Sequence, residues 1–88
     1  MQKLNKFEEA IKSYNKAIKI NSHYAEAYNN LGNVLEELNK IDLAVENYNK
    51  AIKINPNYAE AYNNLGGALA KIRKLEEAIK NYNKAIKI

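Results

Sequence analysis

The chain has 88 residues, a formal net charge of +4 at pH 7 and no cysteine. Without cysteine it can form neither a disulfide framework nor a thiolate metal site, so zinc bound by cysteines is excluded. No apolar run approaches the roughly 20 residues that a membrane-spanning helix needs, and Met1 leads directly into a helical pattern rather than a signal peptide. We therefore expect a soluble, cytoplasmic protein without a membrane span, a cofactor or a metal.

The positive charge comes almost entirely from lysine, since Arg73 is the only arginine. Recognition of nucleic acids favours the planar, bidentate guanidinium of arginine over the point charge of lysine. The composition therefore disfavours nucleic acid as a partner.

The sequence repeats itself with a period of 34 residues. Residues 14–32 read YNKAIKINSHYAEAYNNLG and residues 48–66 read YNKAIKINPNYAEAYNNLG, and residues 82–88 begin a third copy with YNKAIKI. A fixed period of this length is the signature of stacked repeats. One such unit cannot bury its apolar faces alone, so neighbours must stack and share a continuous core.

The predicted elements follow one another as amphipathic helices separated by short turns. A first helix carries Phe7, Ile11 and Tyr14. The next two carry apolar residues at helical spacing, namely Tyr28, Leu31, Leu35 and Leu38, then Ala44, Tyr48 and Ala51. Asn39 and Lys40 supply the turn between these two, since asparagine tolerates a left-handed backbone, and Asp42 can cap the second or favour it by its charge. Pro56 ends that helix, and two more follow by the period.

Small residues at the repeat period indicate where backbones approach each other. Alanine recurs at positions 10, 44 and 78, and again at positions 17, 51 and 85. Gly32 and Gly66 lie inside predicted helices at a cost of about 1 kcal/mol each relative to alanine. That cost is understandable if a bulky side chain packs directly over each glycine.

Residues Tyr28, Leu31 and Gly32, followed by Ala44, Tyr48 and Pro56, resemble the tetratricopeptide repeat signature over a 34-residue period. The resemblance covers the whole chain. Residues 1–24 resemble the second half of a repeat, residues 25–58 a full repeat, and residues 59–88 a nearly full repeat without its final loop. It implies an all-α, right-handed superhelical solenoid of about 2.5 repeats, five helices as antiparallel hairpins.

The resemblance also implies a concave groove, lined by the first helix of each pair, that binds a peptide or a partner protein. Candidate ligand-binding residues are the asparagines left on these helices once the core is assigned: Asn29, Asn30, Asn33, Asn63 and Asn64. A carboxamide both donates and accepts, so it can pair with the backbone of an extended ligand. The alternative is that asparagine follows an AT-rich codon bias, since it also crowds the second helices.

Lysines form a second pattern at helical spacing on the second helices, at positions 12, 16 and 19, then 50 and 53, then 80, 84 and 87. Stacking is expected to align them into a basic stripe on the convex surface. Such a stripe can attract an acidic protein, an anionic lipid or RNA. Its other interpretation is a solvated face that keeps the protein soluble.

Catalysis finds no support in the sequence. The only histidine, His23, lies in a loop where the sister copy has Asn57. The glutamate pairs are adjacent in sequence, so a single helix cannot direct both members at one substrate. We expect a non-catalytic interaction scaffold.

Uncovered apolar edges provide an alternative function. The first helix has no preceding helix to cover Phe7, Ile11 and Tyr14, and the last has no following helix to cover Tyr82 and Ile86. Because a periodic array has complementary ends, the chain can be a self-associating structural unit, a homo-oligomer built head to tail or by swapping. It can also be a fragment of a larger repeat protein.

Overall fold

The computed structural model describes residues 2–88, with side chains from Lys6 onward. Five helices follow in order: α1 (Gln2–Ile20), α2 (Ala25–Glu37), α3 (Ile41–Ile54), α4 (Ala59–Lys71) and α5 (Leu75–Lys87). No strand occurs in this part of the chain. Each helix packs chiefly against its neighbours in sequence, and α2 also touches α4. The predicted all-α helical repeat is confirmed.

The turns inside the two hairpins are the same structure built twice. Asn39 has a φ of 61° and Arg73, one period later, has a φ of 67°. In both turns the following N–H bonds back to the fifth residue before it, from Lys40 to Leu35 at 2.8 Å and from Lys74 to Leu69 at 2.9 Å. This is the pattern that ends a helix through a left-handed residue.

The beginning of α1 differs from the sequence expectation, and the beginning of α3 agrees with one of the two roles expected of Asp42. Helix α1 runs through Asn5 and Lys6, the counterparts of the turn residues Asn39 and Lys40. A stretch that resembles the tail of a first helix is therefore continuous with α1. The start of α3 has no side-chain cap, and Asp42 lies in its first turn. Asp42 thus acts by its charge near the positive end of the helix rather than as a cap.

The core lies between the hairpins. It consists of side chains from α2 to α5 that are nearly or wholly inaccessible: Leu31, Leu35, Ala44, Tyr48, Leu65, Ala68, Leu69 and Ala78. Partly buried residues of α1, among them Ile11 and Tyr14, close it from one side. The shared core joins neighbouring pairs into one stack, as a repeat array requires.

Tyr48 and Tyr82 occupy the space left by the two helical glycines. A methyl group added at Gly32 would lie 2.5 Å from Cε1 of Tyr48, and one added at Gly66 would lie 2.9 Å from the ring of Tyr82. No side chain fits there without movement. The prediction that a bulky neighbour packs over each glycine is confirmed, and it explains why glycine is found inside these helices.

Candidate ligand-binding surface

Helices α2 and α4 form one face of the molecule, which we call the first-helix face. An open depression of about 290 Å³ lies between them, lined by residues of both helices: Asn33, Val34, Glu36, Glu37, Asn64 and Lys71. Two of the five predicted asparagines, Asn33 and Asn64, therefore line the same depression. Its other lining residues are mostly charged.

Asn29 and Asn64 bind each other. The Nδ2 group of Asn64 donates to Oδ1 of Asn29 at 3.1 Å, across one full repeat. Asn29 is completely buried, and its own Nδ2 has no hydrogen-bond partner among the described side chains. This differs from the expectation that Asn29 is open to the groove, because α4 covers it through Asn64. As placed, Asn29 orients Asn64 and does not present its amide to a ligand.

Asn33, Tyr48 and Glu36 form a second polar cluster beside the depression. The Tyr48 hydroxyl lies 2.7 Å from Oδ1 of Asn33 and 2.8 Å from Oε1 of Glu36. A hydroxyl has one proton, so it donates to the charged carboxylate, and the Asn33 amide can turn to donate to the hydroxyl. Burial, and then the hydrogen bond and charge of Glu36, raise the pKa of Tyr48 far above its usual value.

Lys71 completes this cluster from the next repeat. Its Nζ lies 2.6 Å from Oε2 of Glu36, whose side chain is 17% exposed. The ion pair joins α4 to α2, and both of its residues line the depression. It also neutralises Glu36, which leaves Glu37 as the remaining charge of this part of the surface.

The cluster has no counterpart in the following repeat. Gly67 stands where Asn33 stands one period earlier, and Ala70 stands at the position of Glu36. No hydrogen bond to the Tyr82 hydroxyl is found in the described structure, although Tyr48 makes two close contacts at the equivalent place. The hydrogen-bonded cluster of the first-helix face therefore belongs to α2 and is not repeated at the equivalent positions of α4.

Asn30 and Asn63 complete the predicted set. Asn30 is partly buried and Asn63 is exposed. Asn63 is the counterpart of the buried Asn29, and it is exposed because no described helix lies over it. The predicted asparagines therefore divide into accessible residues at positions 30, 33, 63 and 64 and one internal residue at position 29.

A further part of the first-helix face lies at the beginnings of α2 and α4. Burial raises the pKa of Tyr58, and the charges of Glu60 and Glu26 raise it further. The Asn29 side chain lowers this pKa, as a donor beside the Tyr58 hydroxyl does, although no acceptor lies within hydrogen-bonding distance of Asn29 Nδ2. Sequence reasoning did not single out Tyr58. The only sequence feature that points to Tyr58 is the repeat, since Tyr24 occupies the equivalent position one period earlier, beside Glu26.

The predicted lysine stripe is on the second helices, and all eight of its lysines are exposed. Two of them lean onto tyrosines of the first helices. Nζ of Lys50 lies 5.8 Å from the centre of the Tyr28 ring, and Nζ of Lys84 lies 6.0 Å from that of Tyr62. These distances fit cation–π contacts, which bring the lysine stems over apolar surface.

The predicted edges differ from each other. Phe7, Ile11 and Tyr14 on α1 are partly buried, and the last two pack against the core. On α5, Tyr82 is 36% exposed and Ile86 is 81% exposed. The two edges are therefore unequal, and α5 carries the open one.

Within residues 2–88, no group of three histidine, aspartate or glutamate side chains is arranged to hold a metal ion. None of the described helices combines the length and apolar character needed to cross a bilayer.

Comparisons with known proteins agree with this architecture. A family described as TPR repeat matches residues 3–39, and two described as tetratricopeptide repeat match residues 25–58 and 47–80. Curated protein sequences gave no significant match. Stacked helical hairpins with a shared core define the class of helical repeat proteins. The chain belongs to the tetratricopeptide repeat family, whose members are protein-interaction modules.

Solved structures show the same likeness. The crystal structure of MamA superimposes with a TM-score of 0.90 and 34% identity, over 96% of this chain and 49% of that one. The first TPR of Spaghetti (RPAP3) bound to the HSP90 peptide SRMEEVD gives a TM-score of 0.91 and 30% identity, over 97% and 68%. The second TPR of Spaghetti, bound to the same peptide, gives a TM-score of 0.89 and 25% identity, over 96% of this chain and 78% of that one. The chain thus spans about half the length of MamA.

Proposed function

We propose that the protein is a non-catalytic scaffold that binds an extended peptide, or an extended segment of a partner protein, on the first-helix face of α2 and α4. The observation that carries the proposal is the depression between these helices, which two asparagines line with carboxamide groups. Such groups pair with a peptide backbone whatever its side chains. The peptide-bound structures of the two Spaghetti domains support it by analogy.

Peptide selection from a random displayed library tests this proposal. Asn33 and Asn64 are the targets, because both line the depression, and thermal unfolding checks that the double variant stays folded. Replacing both by alanine is expected to weaken the binding of a selected peptide by about tenfold, since each amide hydrogen bond contributes roughly 0.5–1 kcal/mol. The matched control replaces Asn15 and Asn83, which are exposed on second helices. Equal loss in both double variants would contradict the proposal.

A second candidate function is self-association through α5. Its Ile79 and Ile86 are 58% and 81% exposed, whereas their counterparts on α3, Val45 and Ile52, are partly buried against the core. A surface that is covered in one repeat and open in the next favours a second copy of the chain as its occupant. The proposed homo-oligomer is therefore expected to form mainly through Tyr82 and Ile86 on α5, and less through the partly buried residues of α1.

Molar mass from light scattering, over a wide range of protein concentration, tests this second function. Self-association predicts a mass that rises with concentration, and Ile86→Lys is expected to abolish the rise. Ile20→Lys is the control, because Ile20 is 79% exposed but lies at the end of α1. A constant mass near 10.0 kDa would exclude the oligomer.

A further inference from the structure

Helices α1 and α5 carry nearly the same sequence. Residues 7–20 read FEEAIKSYNKAIKI, and residues 75–88 read LEEAIKNYNKAIKI. The two segments differ only in their first residue, phenylalanine or leucine, and in their seventh, serine or asparagine. Both replacements keep the apolar or polar character of the position. A surface that binds one of these helices is therefore suited to bind the other.

The two copies of this sequence differ in what covers them. Helix α1 packs against α2 and against no other described helix, and its Ile11 and Ile18 are partly buried there. The same two positions on α5 are Ile79 and Ile86, which are 58% and 81% exposed. One copy therefore has its isoleucines covered by α2, whereas the other copy presents the same side chains to solvent.

The covering helix is of one kind in both places where it is present. Helix α2 packs on α1, and α4 packs on α3, where Val45 and Ile52 are the partly buried equivalents of the two isoleucines. Residues 25–32 of α2 and residues 59–66 of α4 have the identical sequence AEAYNNLG. The surface that matches the exposed side of α5 is therefore that of a first helix, and α2 is one that already binds the same sequence.

Charge agrees with this match. Helix α2 carries three glutamates and no lysine or arginine, whereas α5 carries two glutamates and three lysines. Helices of opposite net charge attract each other. The apolar surface and the charge of α2 both therefore favour α5 as a partner.

From this duplication we propose that α5 of one molecule binds α2 of a second molecule, in the place that α1 occupies in the structure. The two molecules then form one continuous head-to-tail array, and α1 is a tethered competitor that limits its growth. This inference rests on the second candidate function, self-association through α5, and specifies the surface that α5 meets. Because α1 belongs to the same chain as α2, it competes at an effective concentration on the order of 1 mM. The intact chain therefore assembles only at high concentration.

The repeat period also gives the register of the contact between molecules. Within one chain, Asn64 of α4 donates to Asn29 of α2, one repeat earlier. One period from each of these residues stand Asn30 and Asn63. In a continuous array, Asn30 of the second molecule therefore lies beside Asn63 of the first, as Asn64 lies beside Asn29. Binding of α5 at another place does not bring these two residues together.

Cross-linking of two single-cysteine variants tests this register, since the chain itself has no cysteine. The variants Asn30→Cys and Asn63→Cys, one of them carrying an affinity tag, are mixed and treated with a short bismaleimide. The mixed dimer is expected to be at least about tenfold more abundant than the dimer that either variant forms alone. The control mixture pairs Asn63→Cys with Asn15→Cys, which is exposed on α1. A mixed dimer no more abundant than in the control would overturn the proposal.

Weakening the hold of α1 on α2 tests the competition. Ile18→Lys is expected to lower the concentration at which the molar mass rises by about tenfold, because α1 then leaves α2 more easily. Ile20→Lys is the matched control, since it makes the same change on the same helix at a position that is 79% exposed. It is expected to leave that concentration unchanged. Ile18→Ala is expected to act in the same direction as Ile18→Lys with a smaller effect, and thermal unfolding checks that the variants stay folded.

The outcomes separate this inference from self-association itself. If the mass rises and Ile86→Lys abolishes the rise, but Ile18→Lys and Ile18→Ala do not promote it, the molecule self-associates and α1 is no competitor. The proposal is then wrong, although the second candidate function stands. If the mass of Ile18→Lys and of the parent both stay near 10.0 kDa, the two fail together.

Discussion

Asn64 donates a hydrogen bond to Asn29 at 3.1 Å, and this contact joins the first helices of two successive repeats. Replacing Asn64 by alanine leaves the buried Asn29 without any partner. We expect the free energy of unfolding to fall by about 1–2 kcal/mol, the cost of an unsatisfied buried amide. Urea denaturation measures it.

The neighbouring Asn63 is the control for this prediction, because it is exposed on the same helix. Asn63→Ala is expected to change stability by less than about 0.5 kcal/mol. Equal effects at the two positions would mean that the hydrogen bond between α2 and α4 contributes nothing.

Alanine substitutions at two helical glycines, Gly32 and Gly67, are expected to change stability in opposite directions. A methyl group at Gly32 meets Tyr48 at 2.5 Å, whereas one at Gly67 meets only the Tyr82 hydroxyl, at 3.6 Å. Gly32→Ala is therefore expected to lower stability by more than about 2 kcal/mol, because the buried ring must move. Gly67→Ala is expected to raise it by up to about 1 kcal/mol through helix propensity. Thermal and urea unfolding compare them, and a stabilising Gly32→Ala would refute the packing described.

Arg73 holds a left-handed backbone at a φ of 67°, where the equivalent turn has Asn39. Left-handed geometry costs an ordinary residue about 1–2 kcal/mol, and asparagine tolerates it better. Arg73→Asn is expected to raise the unfolding free energy by up to about 1 kcal/mol. The reciprocal change, Asn39→Arg, is expected to lower it by a similar amount. Identical effects of the two substitutions in equilibrium unfolding would contradict this interpretation.

Ionisation of tyrosine is expected to lower the free energy of unfolding at high pH, because Tyr48 has a raised pKa in the folded protein. Its pKa is raised in the folded protein, by burial first and then by Glu36, so it keeps its proton when unfolded tyrosine ionises. The contribution of the protonated Tyr48 to stability is complete below about pH 10. As the pH rises further, the free energy of unfolding falls by up to about 1.4 kcal/mol per pH unit.

The Tyr48→Phe variant isolates this effect from other titrating groups. It is expected to be less stable than the parent near neutral pH, by about 1–2 kcal/mol for the lost hydroxyl contacts. Its stability should fall less steeply above about pH 10, because phenylalanine has no proton to lose. Parallel unfolding curves for parent and variant across this range would show that Tyr48 titrates normally.

Much of the fold follows from the sequence because each local sequence pattern occurs in more than one repeat. The 34-residue period, the turn at Asn39 and the glycines under a bulky ring are each visible without a structure. The continuation of α1 through Asn5 and Lys6 is not. The same Asn-Lys pair forms a turn at positions 39 and 40 and a helix at positions 5 and 6, so the local sequence alone does not decide between the two structures.

The site was less predictable, for a physical reason. Asn29 and Asn63 lie in the same YNNLG sequence, yet one is buried and the other exposed. The difference comes from α4, which covers Asn29 through Asn64. Likewise the role of Lys71 depends on Glu36 lying opposite it, a pairing between repeats that neither local sequence contains.

The most direct test is where a selected peptide contacts the protein. Heteronuclear NMR of the isotopically labelled chain, titrated with a peptide from the library, reports each backbone and carboxamide group. Binding in the depression between α2 and α4 predicts chemical-shift changes along both helices, with the amides of Asn33 and Asn64 among the most affected. Shifts confined to the lysines of α3 and α5, or to the exposed α5 edge around Ile86, would place the binding surface elsewhere.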